Sequence, residues 1–235
     1  MKNQDTGKNL DQLASSNLSG SDCGNSIFKE WKDTGISPGA VNYTEVRQGT
    51  CNDCYFIAAL ISVAYAASGF LKTFPNYTFY AIGGSKTDFS IDKQLAVDSQ
   101  NQLVYAFTKD RDKTWPGFYE KAYAMWLNND LKNNQPSMAT ICGGGNGLTA
   151  LQHITGAALG PRNTWPPFVA PTGKTKYPTT AQTKPDSKGN THTYSVLKKS
   201  GGLYYLLNPC GGGTETYSQE AFDTKFGEWG YVITG

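Results

Sequence analysis

Apolar positions first cluster at Ile27–Trp31, after a polar run over residues 1–26 that predicts a flexible tail or pro-segment. Residues 54–67, CYFIAALISVAYAA, are apolar and Ala-rich, lack Gly and Pro, and stop before Gly69. That pattern predicts a buried helix, with Asn52 and Asp53 suited to its N-cap. Between 115 and 127, Trp115, Phe118, Tyr119, Ala122, Tyr123, Trp126 and Leu127 fall on one helical stripe, and Pro116 suits a first turn. Alternation across 88–108 predicts strands with a turn at 98–101. The GGGNG run at 143–147 predicts a loop. A short helix then carries Leu148, Leu151 and Ile154 and closes at Gly156.

The pattern changes after that helix. Residues 157–190 hold six Pro with many Thr and Lys, which predicts a long exposed connection and a boundary between two parts. Beyond it, THTYSVL and GLYYLL predict two strands joined by KKSGG. Residues 218–226 predict a short helix and residues 231–234 a last strand.

Composition narrows the function classes. The 235 residues are 38% hydrophobic, with 14 Tyr, 11 Phe and 5 Trp, enough for a core and incompatible with wholesale disorder. Only 17% are charged and the net charge is +2, so no nucleic-acid partner is expected. The longest apolar stretch, Tyr55 to Ala67, is interrupted by Ser62 and is too short to span a bilayer, and residues 1–26 hold no signal-peptide core. Low charge with many Asn, Thr, Gly and Tyr leans towards an extracellular protein; the compartment itself is left open.

The chemistry centres on cysteine. Five cysteines cannot all pair, so at least one thiol remains. The cluster Cys51-Asn52-Asp53-Cys54 has four uses: half a zinc site, a redox dithiol, a structural disulfide or buried thiol, or a nucleophile with a histidine base. Zinc needs two more ligands, and Cys23, Cys142, Cys210, His153 and His192 form no second close pair. The redox use lacks its βαβ setting. A nucleophile needs a site favouring thiolate, a base and oxyanion donors. Cys54 in the first turn of a helix offers the first; the Gln48 side-chain amide and the Cys54 backbone N–H offer the last.

The base is His153 or His192. His153, within LTALQHITG, lies between apolar positions and reads as a packed residue. His192 begins a strand. If the two strands pair about Ser200, Leu197 faces Leu203 and His192 faces Asn208, with Cβ atoms about 5 Å apart. Asn208 can then accept from one ring N–H and leave the other nitrogen for a thiol. A slip of one residue would put the two side chains on opposite faces.

These segments resemble those of calpain-type cysteine proteases. QGTCNDCYFIAAL is similar to the family's active-site segment, WPGFYEKAYAMW to its Glu-Lys-Ala-Tyr-Ala helix, HTYSVL to the segment at its histidine, and LLNPCGGG to that around its asparagine. GGGNGLTALQHITG is more loosely similar, and the resemblance spans roughly residues 45–235. It implies an α+β, papain-like fold: a tail or pro-segment over 1–40, a helical lobe over 41–160 carrying the nucleophile, and a β-rich lobe over 161–235 carrying His and Asn, with the site between the lobes. It also implies a cysteine endopeptidase with Cys54 as nucleophile, His192 as acid and base, Asn208 as orienter and Gln48 in the oxyanion hole. The alternatives are an acyl transferase, such as a peptide ligase or deamidase, and a degenerate binding module on the same fold. The expected partner is a protein or peptide substrate, met by a monomer, without nucleic acid or membrane. No cofactor is expected; calcium enters only through the resemblance, with no EF-hand loop and no readable site. Cys210 stands where the family carries Trp, which makes Trp229 the candidate to cover the His–Asn contact, and Tyr55 replaces the Trp after the nucleophile. Cys51 resembles the papain-type cysteine of a disulfide beside the active site, with Cys142 and Cys23 as partners to choose between.

Overall fold

A computed structural model describes residues 27–235. In chain order the elements are β1 (Glu30–Asp33), β2 (Val46–Arg47), α1 (Cys54–Ala66), β3 (Asn76–Tyr80), β4 (Lys86–Ser90), β5 (Gln94–Val97), β6 (Phe107–Thr108), α2 (Trp115–Leu127), α3 (Ala139–Cys142) and α4 (Gly147–Thr155). There follow β7 (Ala158–Leu159), β8 (Phe168–Val169), β9 (Lys174–Thr175), β10 (Thr179–Thr183), β11 (Thr193–Ser200), β12 (Leu203–Leu207), β13 (Thr214–Tyr217), α5 (Gln219–Lys225) and β14 (Phe226–Ile233). The chain is α+β, and its strand pairings are antiparallel.

α1 is apolar on every side because every side is covered: residues 54–63 are all buried. It packs on α4, β10 and β11. Ser62, the one polar interruption, is a fastener. Its Oγ accepts from the Thr179 N–H at 2.6 Å and donates to the Thr179 carbonyl at 2.9 Å, tying the helix to β10. α2 has the expected bounds and its first-turn proline. Its polar residues are as buried as its apolar stripe. Lys121 reaches Asp92 at 2.5 Å and the Gln94 carbonyl at 2.8 Å, and Glu120 accepts from the Ala106 N–H at 2.5 Å. α4 is capped by Asn146, whose carbonyl oxygen accepts from Leu148 and Thr149, and it ends at Gly156 with φ 67°.

The large sheet runs in the order β13-β12-β11-β10-β14-β7, with the β8–β9 pair attached to β11. Two apolar clusters result. One gathers α1, α2 and α4 with residues such as Leu197, Leu207 and Val232 from one side of the sheet. The other lies among Tyr194, Val196, Tyr204, Leu206, Phe222 and Phe226, flanked by Trp165 and Trp229.

Several expectations change. The 157–190 connection contains β10, a strand interior to the sheet; Thr179, Thr180 and Ala181 are fully buried because β-branched threonines fill a pleated surface well. Over 88–108 the turn at 98–101 is present, but β5 pairs with β1, and the chain after the turn makes a bridge from Leu103 to Val97 and then β6, which pairs with β2. The last strand starts earlier, at Phe226. Within the tail expected over 1–40, residues 30–33 form β1, and the Ser37 and Pro38 carbonyls accept from Thr114 and Trp115 at the start of α2. That stretch is docked; residues 1–26 lie outside the described residues.

Candidate active site

Cys54 is the first residue of α1, directly after the N-cap Asp53. It is 5% exposed and is the free cysteine among the described residues. Cys51 pairs with Cys142, choosing between the two expected partners; Cys23 lies outside the described residues. Cys210 is also disulfide-bonded. Pairing removes Cys51 from both the zinc and the dithiol uses of the cluster.

Thr193, the first residue of β11 and the neighbour of His192, lies close enough to the Cys54 thiol to influence its ionisation. Burial pushes the thiol up to about 11; Thr193 pulls it down and the Asp53 charge pushes it further up. Burial thus opposes the ionisation that a helix N-terminus favours. The sulfur needs a positive partner.

His192 is 4% exposed. Its Nε2 lies 2.9 Å from Asn208 Oδ1. The proton on that contact can be assigned from the neighbours. Asn208 Oδ1 also accepts from the Cys210 N–H at 3.0 Å, and Asn208 Nδ2 donates to Glu215 Oε1 at 2.9 Å. A backbone N–H can only donate and a carboxylate only accept, so the carboxamide has one orientation. His192 Nε2 is therefore the donor. In the neutral ring Nδ1 is then the acceptor, and it is buried with no hydrogen-bond partner. Burial holds the imidazole below its ordinary pKa, against the opposing pull of Asn208 and Glu215.

Gln48 is buried in the loop before α1, and its Nε2 donates to the Cys51 carbonyl at 2.7 Å. One amide hydrogen remains for another acceptor. Its backbone N–H donates to the Pro209 carbonyl at 2.9 Å, so the loop before α1 is bonded to the residue following Asn208. The ring set against the imidazole is not Trp229, which packs with Trp165 and Phe222. It is Tyr194, edge-on at 4.9 Å between centroids. His153 hydrogen-bonds Tyr123 through Nδ1 and packs on Trp126, the packed residue its helix pattern implied.

Other polar residues around these atoms carried no local signal. Asp53 occupies the N-cap position of α1 without a side-chain cap bond. Its carboxyl sits with that of Glu120, fully buried, and burial raises both. With Cys51 they form a group whose potential ligating atoms lie within 4.8 Å. The sulfur is held in a disulfide, and two carboxyls fall short of the six to eight oxygens calcium takes, so the cluster does not fit calcium. Among the described residues no helix is long and apolar enough to cross a membrane.

A buried thiol at a helix N-terminus, and an imidazole of fixed tautomer just before a strand, are groups that thiol hydrolases use as a class. A family model described as calpain family cysteine protease matches residues 25–159, more than half of the chain. The chain belongs to that family. The matched stretch includes Gln48 and Cys54 and ends before His192 and Asn208. No curated protein matches the chain.

Proposed function

We propose that this chain is a cysteine endopeptidase working through Cys54, His192 and Asn208. The supporting observation is the orientation of the imidazole: Nε2 is occupied by Asn208, and Nδ1 is buried and unpartnered one residue from Thr193, which lies near the Cys54 thiol. Membership of the family supports cysteine peptidase activity in general. The second apolar cluster, drawn from 165–229, supports a papain-like reading with a β-rich second lobe, onto which the helical cluster packs through Leu197, Leu207 and Val232.

In this reading the Cys54 thiol gives its proton to His192 Nδ1, and the thiolate attacks the substrate carbonyl carbon. The oxyanion that forms accepts from the Cys54 backbone N–H and the remaining Gln48 amide hydrogen. The imidazolium returns its proton to the leaving amine as the C–N bond breaks, giving a thioester. Water, deprotonated by Nδ1, then releases the acid and the free thiol.

Burial disfavours charge on both thiol and imidazole when each stands alone. The ion pair therefore depends on mutual stabilisation of the two groups. The test is cleavage of a denatured protein by wild type and by Cys54→Ala. Loss of cleavage is expected; undiminished cleavage overturns the assignment. With a peptide and an added amine, two fragments support hydrolysis, whereas a joined product points to acyl transfer.

A further inference from the structure

Asn208 is held from behind by a carboxylate that the three-residue mechanism does not use. Glu215, on β13, accepts from Asn208 Nδ2 with Oε1 at 2.9 Å. Its Oε2 accepts from the Tyr217 hydroxyl and from Lys225 Nζ at 3.4 Å. Lys225, at the end of α5, also donates to the Tyr217 hydroxyl and, at 3.1 Å, to the Tyr194 hydroxyl. Its ammonium lies over the Tyr194 and Tyr217 rings at 4.8 and 4.7 Å. The Tyr194 ring is the one set against the imidazole. A polar chain thus runs from His192 through Asn208 to Glu215, and returns through Lys225 and Tyr194.

We propose that Glu215 is a positioning residue for the thiol chemistry, locking the Asn208 carboxamide and placing a negative charge behind the imidazolium. Two effects follow from the geometry. First, the carboxylate can only accept, so Asn208 cannot turn its Nδ2 towards His192 and reverse the tautomer. Second, the charge lies one residue behind the ring, half-buried, where it favours the protonated imidazole. Burial alone would push the Glu215 carboxyl up, but its hydrogen bonds with Tyr217 and Asn208 and the Lys225 charge keep it below the usual glutamate value, so it is ionised at neutral pH. The other charged or titratable groups facing this assembly are Tyr194 from β11, Tyr217 from β13, Lys225 from α5, and Cys54 with Asp53 at the start of α1. Lys225 opposes the effect on His192 and the Glu215 charge supports it.

The inference rests on the thiol–imidazole reading, so the test separates the two. Alkylation of Cys54 by iodoacetamide is followed against pH for wild type, Glu215→Gln and Glu215→Asp, with a melting curve for each; it needs no peptidase substrate. Peptide hydrolysis is read alongside. Glu215→Gln keeps the shape and removes the charge. It is expected to shift the alkaline limb of the hydrolysis profile to lower pH and to slow alkylation at neutral pH about tenfold, the size of losing one charge-assisted contact. KM stays put while kcat falls, and Glu215→Asp recovers part of the rate. A Glu215→Gln protein that melts lower but keeps the wild-type profile and rate overturns the positioning role alone. A wild-type Cys54 that alkylates no faster than an ordinary thiol below pH 8 overturns the thiol–imidazole reading itself.

Discussion

His192 and Asn208 meet on a diagonal of the β11–β12 hairpin, not head-on. At the tip, Ser200 pairs with Leu203, Lys199 with Tyr204 and Lys198 with Tyr205. The register then shifts by one residue: Val196 pairs with Leu206 and Ser195 with Leu207. Continued, that register sets Tyr194 opposite Asn208, and His192 lies two residues further on the same face. The bulge at Leu197 produces this. Without it, Ser195 would oppose Asn208 and His192 would project from the other face. Leu197 itself turns into the helical cluster, while Val196 enters the sheet's own cluster.

Asn208→Ala removes the acceptor that fixes the ring. The protein is expected to fold and to lose about ten- to a hundredfold in kcat at nearly constant KM, the range for one hydrogen bond to a charged group. Steady-state kinetics on a peptide substrate check this. An unchanged kcat would mean that the imidazole is oriented by Tyr194 packing alone.

The paired registers show how much was legible. Helix α2 could be bounded to the residue, because Pro116 starts it and seven apolar positions repeat with its period. The meeting of His192 with Asn208 was foreseen through the wrong register: pairing about Ser200 and the bulged pairing differ by two residues, which preserves the face. β10 was hidden because threonine reads as loop in a Pro-rich stretch, although Thr179 and Thr180 are interior to the sheet. Glu120 and Glu215 were hidden for another reason. Their partners, Asp53 and Asn208, come from other elements, and no local spacing announces a contact made through the fold.

The buried Asp53–Glu120 pair gives stability a definite slope with pH. Burial raises Asp53 to about 7 from an unfolded value near 4, and raises Glu120 too. Between those values the folded state binds more protons than the unfolded one, so stability is greatest on the acid side and falls as pH rises towards 7. His153 acts in the opposite direction: burial lowers it to about 4, so its contribution is present above 6.5 and is lost as pH falls. Two raised carboxyls outweigh one lowered imidazole, so the net contribution falls as pH rises from roughly 4.5 to 7. Melting temperatures measured from pH 4 to 8 check this. In Asp53→Asn the decline on the neutral side is expected to flatten, and a wild-type curve that rises steadily from pH 5 to 8 would contradict the raised carboxyls.

The Cys51–Cys142 disulfide spans 91 residues of sequence and joins the loop before Cys54 to the end of α3. Closing a loop of that size restricts the unfolded chain strongly, and removing the bond is expected to cost about 4 kcal/mol. The loop also holds the Cys51 carbonyl to which Gln48 Nε2 donates. Cys51→Ala/Cys142→Ala is therefore expected to melt lower and to lose kcat in the fraction that remains folded. Denaturant titration with parallel activity separates the two losses; equal midpoints with and without the bond would remove the structural role.

Gly147 offers a test in which helix propensity and packing have opposite signs. It is the first residue of α4, with an ordinary backbone conformation, so alanine there should favour the helix by up to about 1 kcal/mol. A Cβ at that position would stand 2.8 Å from Thr180 Oγ1 and 2.8 Å from Thr193 Cγ2. Neither neighbour can swing away freely. Thr180 and Thr193 are fully buried, in β10 and β11, and Thr193 lies near the Cys54 thiol. The crowding is expected to win. Gly147→Ala should be destabilised by about 1–3 kcal/mol and should lose activity beyond its unfolded fraction, because the residue displaced adjoins His192. Chemical denaturation and kcat on the folded protein decide it. A variant more stable than wild type, with full activity, would mean that the start of β11 can move without disturbing the thiol and the imidazole.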